Sequence, residues 1–182
     1  MRQTGFTLAE LAASLAISGL LLSIGVPSYI TFVRNARQVT SANELLATLH
    51  FARDLAITRN ARITICPSQA GVNCDPVGWH EGWIVFIDNN GDRAVDVGEI
   101  IERAVAGLET PSIDSAEFGG FLIYRPNGRA MANTVAQNTG ELALCDERGS
   151  SHARVLIIDM SGRPRVSKTT AGGDEPTCPS LG

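Results

Sequence analysis

Gly5-Phe6-Thr7-Leu8-Ala9-Glu10-Leu11 heads a run from Leu11 to Val33 in which 23 consecutive residues carry no charged side chain. About 20 apolar residues let a helix cross a bilayer, so the run predicts a membrane-spanning helix. A secretory signal peptide places its cleavage site after the apolar core, at small residues. Here the leader-like piece, Met1-Arg2-Gln3-Thr4-Gly5, precedes the core. A cut after Gly5 would leave the apolar helix on the mature chain. Glu10 is a second irregularity, because a carboxylate within a membrane helix costs several kcal/mol unless it is paired or near the interface.

Outward from this run, Gly19, Gly25 and Pro27 predict a kink or a melted turn around residues 19–27. Beyond Arg34 the pattern becomes one-sided. Val39, Ala42, Leu45, Leu46, Leu49, Ala52, Leu55 and Ala56 recur at spacings of three and four, while Arg37, Gln38, Asn43, Glu44, Arg53 and Asp54 mostly take other faces. The helix therefore leaves the membrane and lays one face on a globular domain. Continuous from Phe6 to about Arg59, it would measure roughly 80 Å at 1.5 Å per residue. Asn60-Ala61 ends it. The stretches Ile63–Cys66, Trp83–Ile87, Ile100–Glu102, Phe121–Tyr124, Leu142–Cys145 and Val155–Ile158 then read as short strands between Gly, Pro, Asn and Asp turns. The layout is α+β: a long N-terminal helix, membrane-spanning in its first half and amphipathic in its second, packed on an antiparallel sheet. The Gly- and Pro-containing tail from Thr169 reads as irregular.

The 182 residues leave about 120 after the helix, enough for one domain with its own core. The net charge of −4 excludes a globally basic nucleic-acid binder, so any such contact must come from a local patch. Cys66, Cys74, Cys145 and Cys178 are expected as disulfides in an oxidising compartment. Of the three possible pairings, Cys66 with Cys74 and Cys145 with Cys178 is favoured: the first closes a short loop and the second fastens the tail. Zinc is disfavoured by spacings without a CxxC knuckle. No GxSxG or HExxH string occurs, Ser14 and Ser18 lie in the apolar run, and His80 and His152 lack a catalytic frame. The reading is a non-enzyme without a cofactor.

The N-terminal string resembles the class III signal of type IV pilins and type II secretion pseudopilins. That resemblance implies cleavage between Gly5 and Phe6 by a prepilin peptidase, methylation of the new Phe6 amine, and packing of the helix with other pilins in a filament core. It also implies that Glu10 neutralises the Phe6 amine of a neighbouring subunit during assembly. Further along, Phe51-Ala52-Arg53-x-x-Ala56-Ile57-x-Arg59-Asn60, Ile65-Cys66, Gly82-Trp83-Ile84-Val85-Phe86-x-Asp88-x-Asn90-x-Asp92 and Asp96-x-Gly98-Glu99-Ile100-Ile101 resemble the GspH/FimT family of minor pilins and pseudopilins. Phe121 to Gly128, Leu144-Cys145 and Ser161-Gly162-Arg163 continue the likeness. The implied organisation is a leader at 1–5, a transmembrane and filament-core helix at 6–33, and a head at 34–182. The implied location is the inner membrane, single-pass with the head in the periplasm, and then a pilus or pseudopilus.

Gly162-Arg163-Pro164-Arg165 resembles the GRxR motif of FimT proteins of competent bacteria, which implies DNA capture in natural transformation. Residues 160–170 hold three positive charges, Arg163, Arg165 and Lys168, and no negative one. Guanidinium forks suit phosphate oxygens, and such contacts read no sequence and weaken with salt. Without aromatic platforms here, double-stranded backbone is the expected ligand. Arg125, Arg129 and Arg154 would extend the patch if the fold gathers their loops. The alternative is a structural minor pilin or pseudopilin that initiates or caps a filament without touching DNA. Asp88 to Glu99 places oxygen-bearing side chains at positions 1, 3, 5, 9 and 12, as a calcium loop does, but Arg93 stands where that loop needs Gly. The favoured reading is a structural turn with no metal.

Overall fold

The computed structural model describes residues 7–108 and 111–178, so the cleavage and methylation positions Gly5 and Phe6 lie outside the described residues. The order is α1 (Leu8–Arg59), β1 (Ile63–Pro67), β2 (Gly82–Ile87), β3 (Ile101–Ala106), β4 (Ser112–Asp114), β5 (Leu122–Tyr124), β6 (Ala130–Met131), β7 (Gly140–Cys145), β8 (Arg154–Ile158) and β9 (Pro164–Ser167). By its contacts the chain divides into two units, one up to Arg37 and one from Gln38.

The first unit is the apolar part of α1, long and apolar enough to cross a membrane. Thr7 and Glu10 form a capping box: the Thr7 hydroxyl accepts the Glu10 amide at 3.3 Å, and Glu10 Oε2 accepts the Thr7 amide at 2.9 Å. Ser14, Ser23 and Thr31 return their hydroxyl protons to the carbonyls of Leu11, Leu20 and Pro27, which satisfies these three donors within the helix. The melted turn expected at residues 19–27 does not form, because α1 is helical through Pro27. A single proline deletes one ladder hydrogen bond, and the turns on either side remain wound.

The second unit carries its own core. Ala42, Leu45, Leu49, Ala52 and Ala56 of α1 are buried together with residues of every described strand but β3 and β9, among them Ile63, Ile65, Trp83, Tyr124, Leu142 and Leu156. Burying each leucine contributes roughly 1.5–3 kcal/mol. The sequence placed Gln38 on the solvent side and Val39 on the core side; the structure reverses them. Gln38 is buried and its amide donates to the Leu144 carbonyl at 3.2 Å, while Val39 is exposed. The helix ends as the sequence indicates. Asn60 takes a left-handed φ of 48°, Asn60 N bonds to Ile57 O and Ala61 N to Ala56 O, the paired closure of a Schellman cap.

The strands form two antiparallel sheets rather than one, ordered β3-β2-β1-β5-β6 and β4-β7-β8-β9. Three strands escape a sequence reading, β4, β6 and β9, each of four residues or fewer. Disulfides join Cys66 to Cys74 and Cys145 to Cys178. The first closes the loop after β1. The second pins the strandless tail to the end of β7.

Candidate nucleic-acid interface

β9 is the edge strand of the second sheet, where a proline without an N–H is tolerated. It pairs with β8 through Ile158↔Pro164, Ile157↔Arg165, Leu156↔Val166 and Val155↔Ser167. The turn between them is closed by Gly162 N to Asp159 O at 2.9 Å, with Gly162 in a left-handed conformation, φ 76°. Asp159 Oδ1 accepts the Ser161 hydroxyl at 2.6 Å, the Ser161 amide at 2.8 Å and the Arg163 amide at 3.2 Å. These bonds, led by that from the Ser161 hydroxyl and joined by the nearby Arg163 charge, hold its carboxyl below the usual range.

Arg163, Arg165 and Lys168 are all exposed, but they do not form one patch. Arg163 and Arg165 flank Pro164 at the turn end. Lys168 follows the last pair, Val155↔Ser167, and so shares the far end of the hairpin with Arg154. Three residues of strand put about 10 Å between Arg165 and Lys168. Arg165 also shares its sheet face with Glu141, since both lie opposite Ile157, and a surface hollow beside it is lined by Glu117, Glu141 and Asp159. The cationic surface thus turns acidic on the Arg165 side.

On the other side the fold adds cations. Arg125 and Arg129 bracket the turn after β5, closed by Gly128 N to Arg125 O at 2.8 Å and Arg125 N to Arg129 O at 3.0 Å. This turn and the Asp159–Arg163 turn touch. A Cβ added to Gly162 would collide with the Gly128 carbonyl oxygen and come within 3.0 Å of Arg129 Cα. Arg53 of α1 fastens both: Nε donates to Gly128 O at 3.1 Å and Nη2 to Ser161 O at 3.4 Å. Sequence reading put Arg53 on a solvent face and gave it no role; a family string through Phe51-Ala52-Arg53 was the only signal. Behind the turns, burial pushes the Tyr124 phenol up, with Arg53 pulling it down, and the buried hydroxyl has no hydrogen-bond partner among the described residues. Arg129 is exposed and Arg125 half-buried. Arg154 lies at the opposite end of the hairpin.

The Asp88–Glu99 loop uses its oxygens internally. Asp88 is buried, with Oδ2 accepting the Thr64 hydroxyl at 2.7 Å and Oδ1 the Gly91 amide. Asn90 donates to Asp92 and Asp96, and Glu99 accepts the amides of Asn89 and Asp96. Arg93 takes a left-handed φ of 71° and lays its guanidinium 4.5 Å from the centroid of the Phe121 ring. Among the described residues, no group of three or more His, Cys, Asp or Glu side chains is placed to hold a metal ion.

A family model described as type II transport protein GspH matches residues 41–162; the match stops one residue short of Arg163. Two crystal structures of the type IV minor pilin FimU of Pseudomonas aeruginosa strain PAO1 share the fold. One, in space group P21, aligns at 21% identity and a TM-score of 0.57 over 75% of this chain and 92% of that one. The other, in P65, gives 21% and 0.55 over 70% and 90%. No curated protein matches the sequence.

Proposed function

The chain belongs to the family of the type II transport protein GspH and has a type IV pilin-like fold, and from that premise we propose that it is a minor pilin whose head binds the DNA backbone, supporting uptake in natural transformation. The observation that carries this reading is the pair Arg163 and Arg165, both exposed and held two residues apart on a hairpin whose turn Asp159 locks. Side chains two apart on an extended strand project to one face, so the two forks meet neighbouring phosphates without prior ordering. Lys168, at the other end of the hairpin, acts as a separate and weaker contact. Binding is sequence-independent and falls with salt. With this few contacts a single head is weak, and several copies along a filament supply avidity.

In this reading prepilin peptidase cuts after Gly5 in the inner membrane, the Phe6 amine is methylated, and the head lies in the periplasm. The N-terminal helix then packs among other pilins in a filament, with Glu10 leaving its own Thr7 cap to neutralise a neighbour's Phe6 amine.

The test is titration of the soluble head, residues 34–182, with a duplex at low and moderate salt, beside an Arg163→Ala, Arg165→Ala double variant. Salt-sensitive binding lost in the variant supports the proposal. One observation favours the alternative, a structural pilin or pseudopilin subunit that initiates or caps a filament: the carboxylates Glu117, Glu141 and Asp159 beside Arg165 repel phosphate. A folded head that binds no duplex at low salt selects that alternative.

A further inference from the structure

We infer that the turn at Arg125–Arg129 is the second half of the phosphate site, with Arg129 as a direct ligand and Arg53 as the residue that sets its position relative to Arg163. The inference rests on the DNA-binding reading but adds residues outside the GRxR string.

Three observations lead to it. First, the two turns are each closed by short backbone hydrogen bonds, and the Arg129 amide is further held by Asn127 Oδ1 at 3.1 Å. They are stiff supports rather than mobile arms. Second, they meet backbone to backbone. Gly162 is buried against the Gly128 carbonyl and Arg129 Cα with no room for a side chain, so the residues that follow the two contact glycines, Arg163 and Arg129, are brought side by side on neighbouring turns. Third, one guanidinium spans both turns, Arg53 donating to Gly128 O at 3.1 Å and Ser161 O at 3.4 Å. Its planar fork can reach two carbonyls at once, which a lysine ammonium on a flexible stem does much less well.

The charges point to the ligand class. Arg53, Arg125, Arg129 and Arg163 gather on or between two turns in which Asp159 is the only carboxylate. Among the described residues Arg129 makes no side-chain hydrogen bond or ion pair, and Arg125 Nε is buried without a hydrogen-bond partner. Like charges held this close repel in the free protein, and a polyanion relieves that repulsion more than a single small anion can. A phosphodiester backbone laid across both turns meets Arg129 and Arg163 with successive phosphates.

The experiment is a salt titration of duplex binding by the soluble head, residues 34–182, in four forms: unchanged, Arg129→Ala, Arg53→Lys, and the Arg163→Ala, Arg165→Ala double variant. The expected result for Arg129→Ala is a several-fold loss of affinity with the salt slope reduced by about one. Arg53→Lys keeps the charge, and is expected to weaken binding several-fold while speeding hydrogen exchange at the Gly128 and Gly162 amides, a readout independent of DNA. An Arg129→Ala head that matches the unchanged head in affinity and slope, while the double variant loses binding, overturns this inference and leaves the DNA reading standing. Unaltered exchange and affinity in Arg53→Lys removes Arg53 as the positioning residue. No binding by the unchanged head overturns both readings. Thermal unfolding of each form separates loss of a ligand from loss of the fold.

Discussion

Gly162 packs directly on the carbonyl oxygen of Gly128, joining the turn between β8 and β9 to the turn after β5. Both glycines have positive φ, 76° and 75°, but the space around them differs. A Cβ at Gly162 meets backbone, whereas one at Gly128 meets the flexible ends of Ile57, at 2.9 Å, and Arg53, at 3.2 Å. Gly162→Ala therefore combines left-handed strain with a collision that cannot be relieved by a rotamer, for a loss of about 2–4 kcal/mol. Gly128→Ala is expected to lose about 1–2 kcal/mol, mainly strain. Urea unfolding of the two variants gives the order; equal losses would refute the contact.

Acid is expected to loosen the Asp159 turn before it unfolds the head. The folded carboxyl is depressed, first by the Ser161 hydroxyl bond and then by the amides of Arg163 and Ser161. The unfolded chain consequently binds the proton at higher pH than the folded one. The stabilisation is complete above the unfolded value, about 3.9, and is lost as pH falls through the lower folded value. The Ser161 and Arg163 amide resonances should shift together in that window. If they stay fixed until the whole head unfolds, Asp159 does not hold the turn.

Trp83 is fully buried, and its indole N–H donates to the Thr48 hydroxyl at 3.3 Å, linking β2 to α1. Thr48→Val keeps the shape and removes the acceptor. The orphaned indole donor should cost about 1–3 kcal/mol, with a shift in tryptophan emission. A variant as stable as the parent would mean that water or another group receives the indole proton.

The two disulfides should differ in weight. Cys145–Cys178 spans 33 residues and Cys66–Cys74 spans 8, so loop-closure entropy predicts losses of about 3.7 and 2.5 kcal/mol on removal. Paired Cys→Ser variants in chemical denaturation test the order. Losing the longer bridge should also make the tail from Thr169 sensitive to protease while the sheets stay protected.

Local pattern determined much of this protein. The uncharged run from Leu11 to Val33, the spacing of Leu45, Leu49, Ala52 and Ala56, the Asn60 stop and the short apolar, β-branched runs of the longer strands are each legible because they are set by residues close together in the chain. The α+β class follows from those patterns, while the family was legible only through the resemblance of specific strings, at Gly5–Leu11 and between Phe51 and Arg163. Tertiary structure decided what pairs across distance: two sheets instead of one, Gln38 buried through a bond to Leu144, 106 residues away, and Lys168 parted from the arginines by the β8–β9 register. It also gathered the cations. Arg53 reaches Gly128 across 75 residues and Ser161 across 108, contacts that carry no local period. A sequence shows which residues bear charge. Only the packing of one turn on another determines which of those charges act together.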